Sequence, residues 1–310
     1  MGESGNNQDN YGNIVDKSSK QGVRKGKVLR YQVEGNGLPL LLIHGWGVTY
    51  PIWQNLGPLL RSHFQLVMIE LPGIGGSPDV GPREPYYQAC AEAIEEVRLA
   101  LDIERWAVLA YSSGTRAAEA YLQQYPEHVS RAAFLCPVYL KGICSLGVRF
   151  LVTTHNSRAF TSWLLSDWRL YSLVVALGFN GKRHDYTRLW KNEIELQPLN
   201  TLVRSLCELP GRGRAPFQLP AVPTLFIWGS RDALAARPAH PGPNDIVIPA
   251  DHSAPMLAAP SVAEAVIPFL TTGTLPSLPR KKKRNRHKLS RFSLRGRSPA
   301  KKIETTYDGS

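Results

Sequence analysis

Three observations predict an α/β fold built on a mostly parallel central sheet with helices on both faces. Short apolar β-rich runs alternate with helical patterns along the chain, as parallel sheets require, because each crossover must return to the same end of the sheet. The run Trp106–Tyr111 ends in Ser112-Ser113-Gly114 and passes at once into a helical pattern. Two later apolar runs are followed by turns carrying Asp232 and then His252.

Strands are expected at about 27–34, 38–43, 65–70, 106–111, 131–136, 224–228 and 245–249, and helices near 51–62, 86–101, 113–125 and 261–271. Leu40-Leu41-Leu42-Ile43 is a continuous apolar run, the pattern of a strand buried on both faces. The helix over 86–101 is assigned an apolar side with Ala91, Ile94, Val97, Leu99 and Leu101, against Glu92, Glu95, Glu96 and Arg98. At 310 residues and 43% apolar content, the chain is long enough for one large core with an insertion. No internal repeat is visible.

A serine at a sharp strand-to-helix bend is held clear of its own backbone, the geometry of a nucleophile elbow. Its neighbours must be small because strands and helix crowd the bend, and Ala110 and Gly114 meet that demand. A serine hydroxyl is a weak nucleophile at neutral pH, so Ser112 needs a base and the base needs an orienting acid. His252, in the loop after the last strand, is the candidate base, and Asp232, presented by the glycine turn after Val222–Trp228, is the candidate acid. Asp245 sits at the wrong end of its strand, and Asp251 adjoins His252 too closely to fold back onto the same ring. Upstream, Leu40–Ile43 runs into His44-Gly45-Trp46-Gly47, a loop that can turn a backbone N–H toward a reacting carbonyl. The backbone N–H groups of Trp46 and Ser113 are the candidate oxyanion hole. His44 is read as bracing that loop and not as a second base.

With these pieces in the chain order Ser, Asp, His, the sequence resembles the α/β-hydrolases. Phe64–Ser77 is similar to that family's strand and D-x-P-G-x-G-x-S loop, with Glu70 in place of the aspartate. The resemblance covers roughly residues 27–271. The loops His44–Gly47 and His252–Pro255 are most similar to those of carboxylesterases acting on pimeloyl-carrier-protein methyl ester and of meta-cleavage C–C hydrolases. It implies a capped serine hydrolase for a small-molecule ester or acyl substrate, needing no cofactor or metal. C–C bond hydrolysis by the same triad is the enzymatic alternative, and a catalytically silent scaffold tethered by its basic tail is the alternative of another class.

Between Cys136 and Thr224 the chain is too long for a simple crossover. Residues 138–213 are therefore assigned to a helical cap, and 25–137 with 214–272 to the core. The cap is rich in aromatics, among them Phe150, Phe160, Trp163, Trp168, Phe179 and Trp190, and each is more simply cap core than substrate contact.

Other chemistries lose ground on residue type. Cys90, Cys136, Cys144 and Cys207 are too scattered for a zinc set, and four cysteines in so long a chain fit reduced thiols better than a disulfide scaffold. Pro72–Ser77 lacks the lysine of a phosphate-binding loop. An aspartate at the elbow would suit dehalogenase or epoxide hydrolase chemistry, and Ser112 stands there instead.

Residues 1–24 are polar, expected to be disordered, and carry no signal-peptide core; Asn6 stands where an acylation site at Gly2 needs Ser or Thr. No apolar run reaches the roughly 18 residues of a membrane span, and a cytoplasmic location, with peripheral attachment to a membrane as its variant, is expected. Residues 273–310 are expected to form a disordered basic tail. From Arg280 onward twelve Lys and Arg face only Glu304 and Asp308, so this segment holds +10 of the net +12. It reads as a solvated tail or as a tether, through residues 280–302, to an anionic membrane surface or nucleic acid. Oligomeric state is left open.

Overall fold

The computed structural model of the chain describes residues 28–81, 84–138, 185–209, 219–232, 234–235 and 237–276. The expected N-terminal segment, residues 139–184 and 210–213 of the expected cap, and the expected basic tail from 277 onward lie outside the described residues.

Seven strands form one sheet: β1 (Tyr31–Glu34), β2 (Leu38–Ile43), β3 (Phe64–Ile69), β4 (Trp106–Tyr111), β5 (Val129–Leu135), β6 (Thr224–Gly229) and β7 (Asp245–Ile248). Their spatial order is β1-β3-β2-β4-β5-β6-β7. β1 pairs antiparallel with β3, and every other pairing is parallel. The central strands lie between two helical layers, so they read as unbroken apolar runs; all six residues of β4 are buried, as are Leu40–Ile43 of β2. Across the sheet, Phe134 and Phe226 meet edge-on with ring centroids 5.6 Å apart.

Four helices cover the sheet. α1 (Gly57–Leu60) packs with the long C-terminal helix on one side, while α2 (Tyr86–Ala100) and α3 (Gly114–Gln124) pack together. Two helices follow in the segment between β5 and β6, α4 (Asp185–Glu195) and α5 (Leu199–Cys207), and after β7 come α6 (Ala254–Leu257) and the C-terminal α7 (Ala259–Thr272). α7 stops at Gly273, whose φ of 80° is the left-handed cap conformation that glycine accepts without strain.

Three sequence expectations need correction. The single helix over 51–62 is instead a 3-10 turn at Tyr50–Trp53 and the separate α1, because Pro58 has no N–H to continue a helix and sits in the first turn of a new one. The first strand begins at Tyr31: the N–H of Arg30 donates to Ser77 Oγ (2.9 Å) and not to a strand partner, although its carbonyl still accepts the N–H of Glu70 at 2.8 Å. On α2, Leu99 faces solvent at 62% exposure, whereas Glu95 and Arg98 are buried together. The Arg98 guanidinium donates to Glu95 at 2.6 Å, and Tyr121 Oη on α3 donates to the same carboxylate at 2.9 Å. Both side chains are thereby satisfied inside the helix pair, and Glu95 is held below the usual carboxylate range by these bonds against the opposing effect of its burial.

The strand order places the functional loops. β2 is flanked by β3 on one side and β4 on the other, so the connections leaving β2 and β4 diverge and open a crevice at their carboxyl ends. Into that crevice the turns after β2 and β4 are packed closely together. A Cβ on Gly114 would lie 2.2 Å from the carbonyl oxygen of His44, and one on Gly45 would lie 3.0 Å from the Cβ of Ser112. Gly114→Ala is expected to cost about 3 kcal/mol or more, since the obstacle is main chain that cannot swing aside; the midpoint of urea-induced unfolding checks this.

Candidate functional site

Ser112 follows the last residue of β4 and carries φ = 54°, in the left-handed region that non-glycine residues seldom occupy. Its N–H donates to Leu135 O at 2.9 Å, which ties the strained residue to the end of β5. The bend aims the hydroxyl at His252: Ser112 Oγ lies 2.8 Å from His252 Nε2. On the other side of the ring, His252 Nδ1 lies 2.8 Å from Asp232 Oδ2. All three side chains are buried.

Each member of this series is fixed by its own surroundings. The remaining oxygen of Asp232 accepts the N–H groups of Leu234 (2.8 Å) and Ala235 (2.9 Å), so the turn after β6 solvates the carboxylate with its own backbone. A carboxylate acceptor requires the proton of His252 to sit on Nδ1, which leaves the Nε2 lone pair facing the serine. Tyr111 Oη, from the last residue of β4, donates to the carbonyl of His252 at 2.6 Å. The two rival carboxylates are occupied elsewhere: Asp251 accepts the N–H of Ser253 (3.0 Å), and Asp245 accepts the indole N–H of Trp228 (2.7 Å).

Sequence reading did not single out Cys136 in this setting. It follows β5 as Ser112 follows β4, with φ = 48°, and its Sγ belongs to a set with an Asp232 oxygen and a His252 nitrogen whose members all lie within 4.8 Å of one another. Burial, then the neighbouring Asp232 carboxylate, push this thiol well above its ordinary pKa, so it is a neutral SH. The signal available in the sequence was its position: parallel strands β4 and β5 are in register with Tyr111 beside Leu135, so the residues just beyond them are neighbours.

His44 braces the loop after β2, as expected. Its Nε2 accepts the N–H of Leu71 at 3.0 Å, so the neutral ring carries its proton on Nδ1, which donates to Gly45 O at 2.8 Å. That carbonyl and the N–H of Trp46 belong to one peptide unit, so the imidazole sets the orientation of the Trp46 amide. Trp46 and Ser113 line the same small recess, together with Leu71, Ile74 and Ser205. Ser113 also stands at the N-cap of α3, the end at which the helix dipole favours negative charge. Glu70, at the family's aspartate position, turns back into the following loop and accepts the N–H of Gly76 at 2.7 Å.

Geometry of this kind supports proton transfer from a hydroxyl to an imidazole held by a carboxylate, next to backbone donors. Comparison with known proteins bears on the fold and on the class of enzyme. A model of the alpha/beta hydrolase fold family matches residues 39–163. The pimeloyl-[acyl-carrier protein] methyl ester esterase of Edwardsiella ictaluri is 29% identical over 240 residues, spanning 71% of this chain and 88% of the relative. The protein of the same name from Pectobacterium carotovorum is 27% identical over 256 residues, spanning 78% and 98%. Among solved structures, a Bacillus megaterium epoxide hydrolase in complex with an inhibitor superimposes with a TM-score of 0.63 at 19% identity, over 78% of this chain and 96% of that one. This chain is a hydrolase of the α/β-hydrolase fold.

Burial lowers the pKa of His44 from 6.5 to about 4, against a smaller opposing effect of its bond to Gly45. Because the folded value lies below the unfolded one, the unfolded chain binds the extra proton between the two. Stability from this group is complete above about pH 6.5 and is lost as pH falls toward 4, a change of about 3 kcal/mol. Urea unfolding measured across this interval is expected to show that slope, and His44→Gln is expected to remove this part of it.

Proposed function

We propose that this enzyme is a serine hydrolase that cleaves a carboxylic ester, or a related acyl bond, through an acyl-enzyme. The observation that carries the reading is the continuous series Ser112 Oγ, His252, Asp232, with 2.8 Å at each step and the serine on a bend of positive φ. Ser112 Oγ attacks the substrate carbonyl carbon while its proton passes to His252 Nε2. The carbonyl π electrons move to oxygen, and the backbone N–H groups of Trp46 and Ser113 receive the negative charge. Collapse of this intermediate breaks the bond to the alcohol oxygen, which takes the proton from His252. Water then repeats the sequence on the acyl-serine, releasing the acid and restoring the hydroxyl. Asp232 keeps its charge throughout and holds the imidazolium.

The relatives named as methyl ester esterases favour a small alcohol as leaving group. Serine at the elbow separates this chemistry from an ester intermediate on aspartate, so likeness of fold to an epoxide hydrolase does not extend to its reaction.

Labelling with a fluorophosphonate, followed by mass spectrometry of the modified peptide, is expected to place the label on Ser112 alone. Well-folded protein that takes no label sinks the reading. Ser112→Ala is expected to abolish labelling and turnover of methyl esters while leaving the unfolding midpoint close to that of the parent. Asp232→Asn is expected to lower kcat by about 10⁴-fold, by permitting the wrong histidine tautomer.

The basic run at 280–302 lies beyond Leu278, where the first compact unit of the chain ends. We assign it no part in the chemistry and propose a tether to an anionic surface. Removal of residues 280–310 is expected to leave hydrolysis of a small soluble ester within twofold of the full chain, and a larger loss contradicts that assignment.

A further inference from the structure

We propose that Trp190, on cap helix α4, is a positioning residue for the oxyanion loop, so that this part of the cap is a fixed component of the catalytic apparatus. The proposal rests on the serine hydrolase reading for its catalytic consequence, and its structural content stands apart from it.

Two peptide units meet at Cα of Trp46. The first, between Gly45 and Trp46, is held by His44 through the Gly45 carbonyl (2.8 Å). The second, between Trp46 and Gly47, is held through its carbonyl by a donor from outside the core: Trp190 Nε1–H donates to Trp46 O at 3.1 Å. Fixing the planes on both sides of one Cα fixes its φ and ψ, and hence the direction of the Trp46 N–H. The second plane is the one in need of a restraint. It precedes Gly47 at φ = 71°, and glycine passes between left- and right-handed conformations with little steric penalty.

The contact is part of a wider fit. The Trp46 and Trp190 rings lie 5.9 Å apart at 43°, and Trp46 Nε1 donates to Leu202 O on α5 at 3.0 Å. One turn along α4 from Trp190, Ile194 closes over Gly47, with side-chain carbons 3.0 Å from where a Cβ would stand. Glu193 accepts the hydroxyl of Thr49. Positions 190, 193 and 194 share one face of the helix, and that face follows the loop from residue 46 to residue 49. A side chain whose task was to line an acyl pocket would not need its N–H directed at this carbonyl.

Trp190→Phe keeps an aromatic ring and deletes the donor. Loss of one neutral hydrogen bond that acts on the oxyanion donor is expected to lower kcat about three- to tenfold, with KM for a methyl ester within twofold and the rate of fluorophosphonate labelling falling in parallel. Hydrogen–deuterium exchange of the peptide carrying residues 44–49 is expected to quicken in the variant, while exchange in β4 and β5 stays unchanged. Unchanged kcat, or a change confined to KM, overturns the positioning role; unchanged exchange in 44–49 overturns the restraint itself. If the parent protein neither labels nor hydrolyses esters, the serine hydrolase reading fails, and exchange alone decides whether Trp190 restrains the loop. Should the phenylalanine variant not fold, replacement of Trp190 by 3-benzothienylalanine, which keeps the bicyclic shape and lacks the N–H, gives the same readouts.

Discussion

Main chain meets main chain where the turn leaving β4 passes the turn leaving β2, and the rest of the site depends on that approach. Gly114 stands at the crossing because a Cβ there would strike the main chain of the turn after β2, and a Cβ on Gly45 would press on the side chains of Ser112 and Tyr111. Close passage leaves Ser112 no ordinary backbone conformation, and the left-handed φ that results directs its hydroxyl out of the sheet toward His252. Strain of this sort costs about 1–3 kcal/mol at a residue, and the buried strands on either side are what over-determine it. Ala110, inside β4 and fully buried, fits between Ile43 and Phe134 in the register of the sheet.

Neutral and charged groups are kept apart by solvation. His44 is buried and neutral, with both ring nitrogens used to hold the loop after β2. Asp232 is just as buried, yet its carboxylate receives two backbone N–H groups besides the imidazole, which replace the water it has lost. The two histidines therefore differ in role through their partners: His44 faces a carbonyl and an N–H, and His252 faces a carboxylate and a hydroxyl. Preorganised dipoles of this kind need no rearrangement when charge develops at the substrate.

Much of this was legible in the sequence because the relevant signals are local. Apolar runs located the central strands to within one or two residues, and the small residues around Ser112 marked the bend. The chain order of Ser112, Asp232 and His252 pointed to the three side chains that the structure brings within hydrogen-bonding distance. What could not be read was long-range. Leu99 lies in solvent and Arg98 in the interior because Tyr121, on the neighbouring helix, completes the hydrogen bonding of Glu95. Cys136 lies beside Asp232 only because β5 and β6 are adjacent strands. Composition marked Trp190 as one aromatic among many, and nothing along the chain pairs it with a carbonyl 144 residues earlier.

The same distinction separates what the sheet holds from what α4 holds. Turns after β4, β6 and β7 supply Ser112, Asp232 and His252 from a rigid sheet, so their mutual distances are set by strand spacing. The loop after β2 is set differently: it contains glycines at residues 45 and 47 and is confined between His44 of the core and one face of α4. A loop with that composition gains order from what packs on it more than from its own backbone. In the proposed reaction, attack on the carbonyl draws on groups fixed by the sheet, whereas stabilisation of the oxyanion draws on a loop held in part by α4. Changes to the face of α4 that meets residues 46–49 are therefore expected to act on that proposed reaction without touching Ser112, His252 or Asp232.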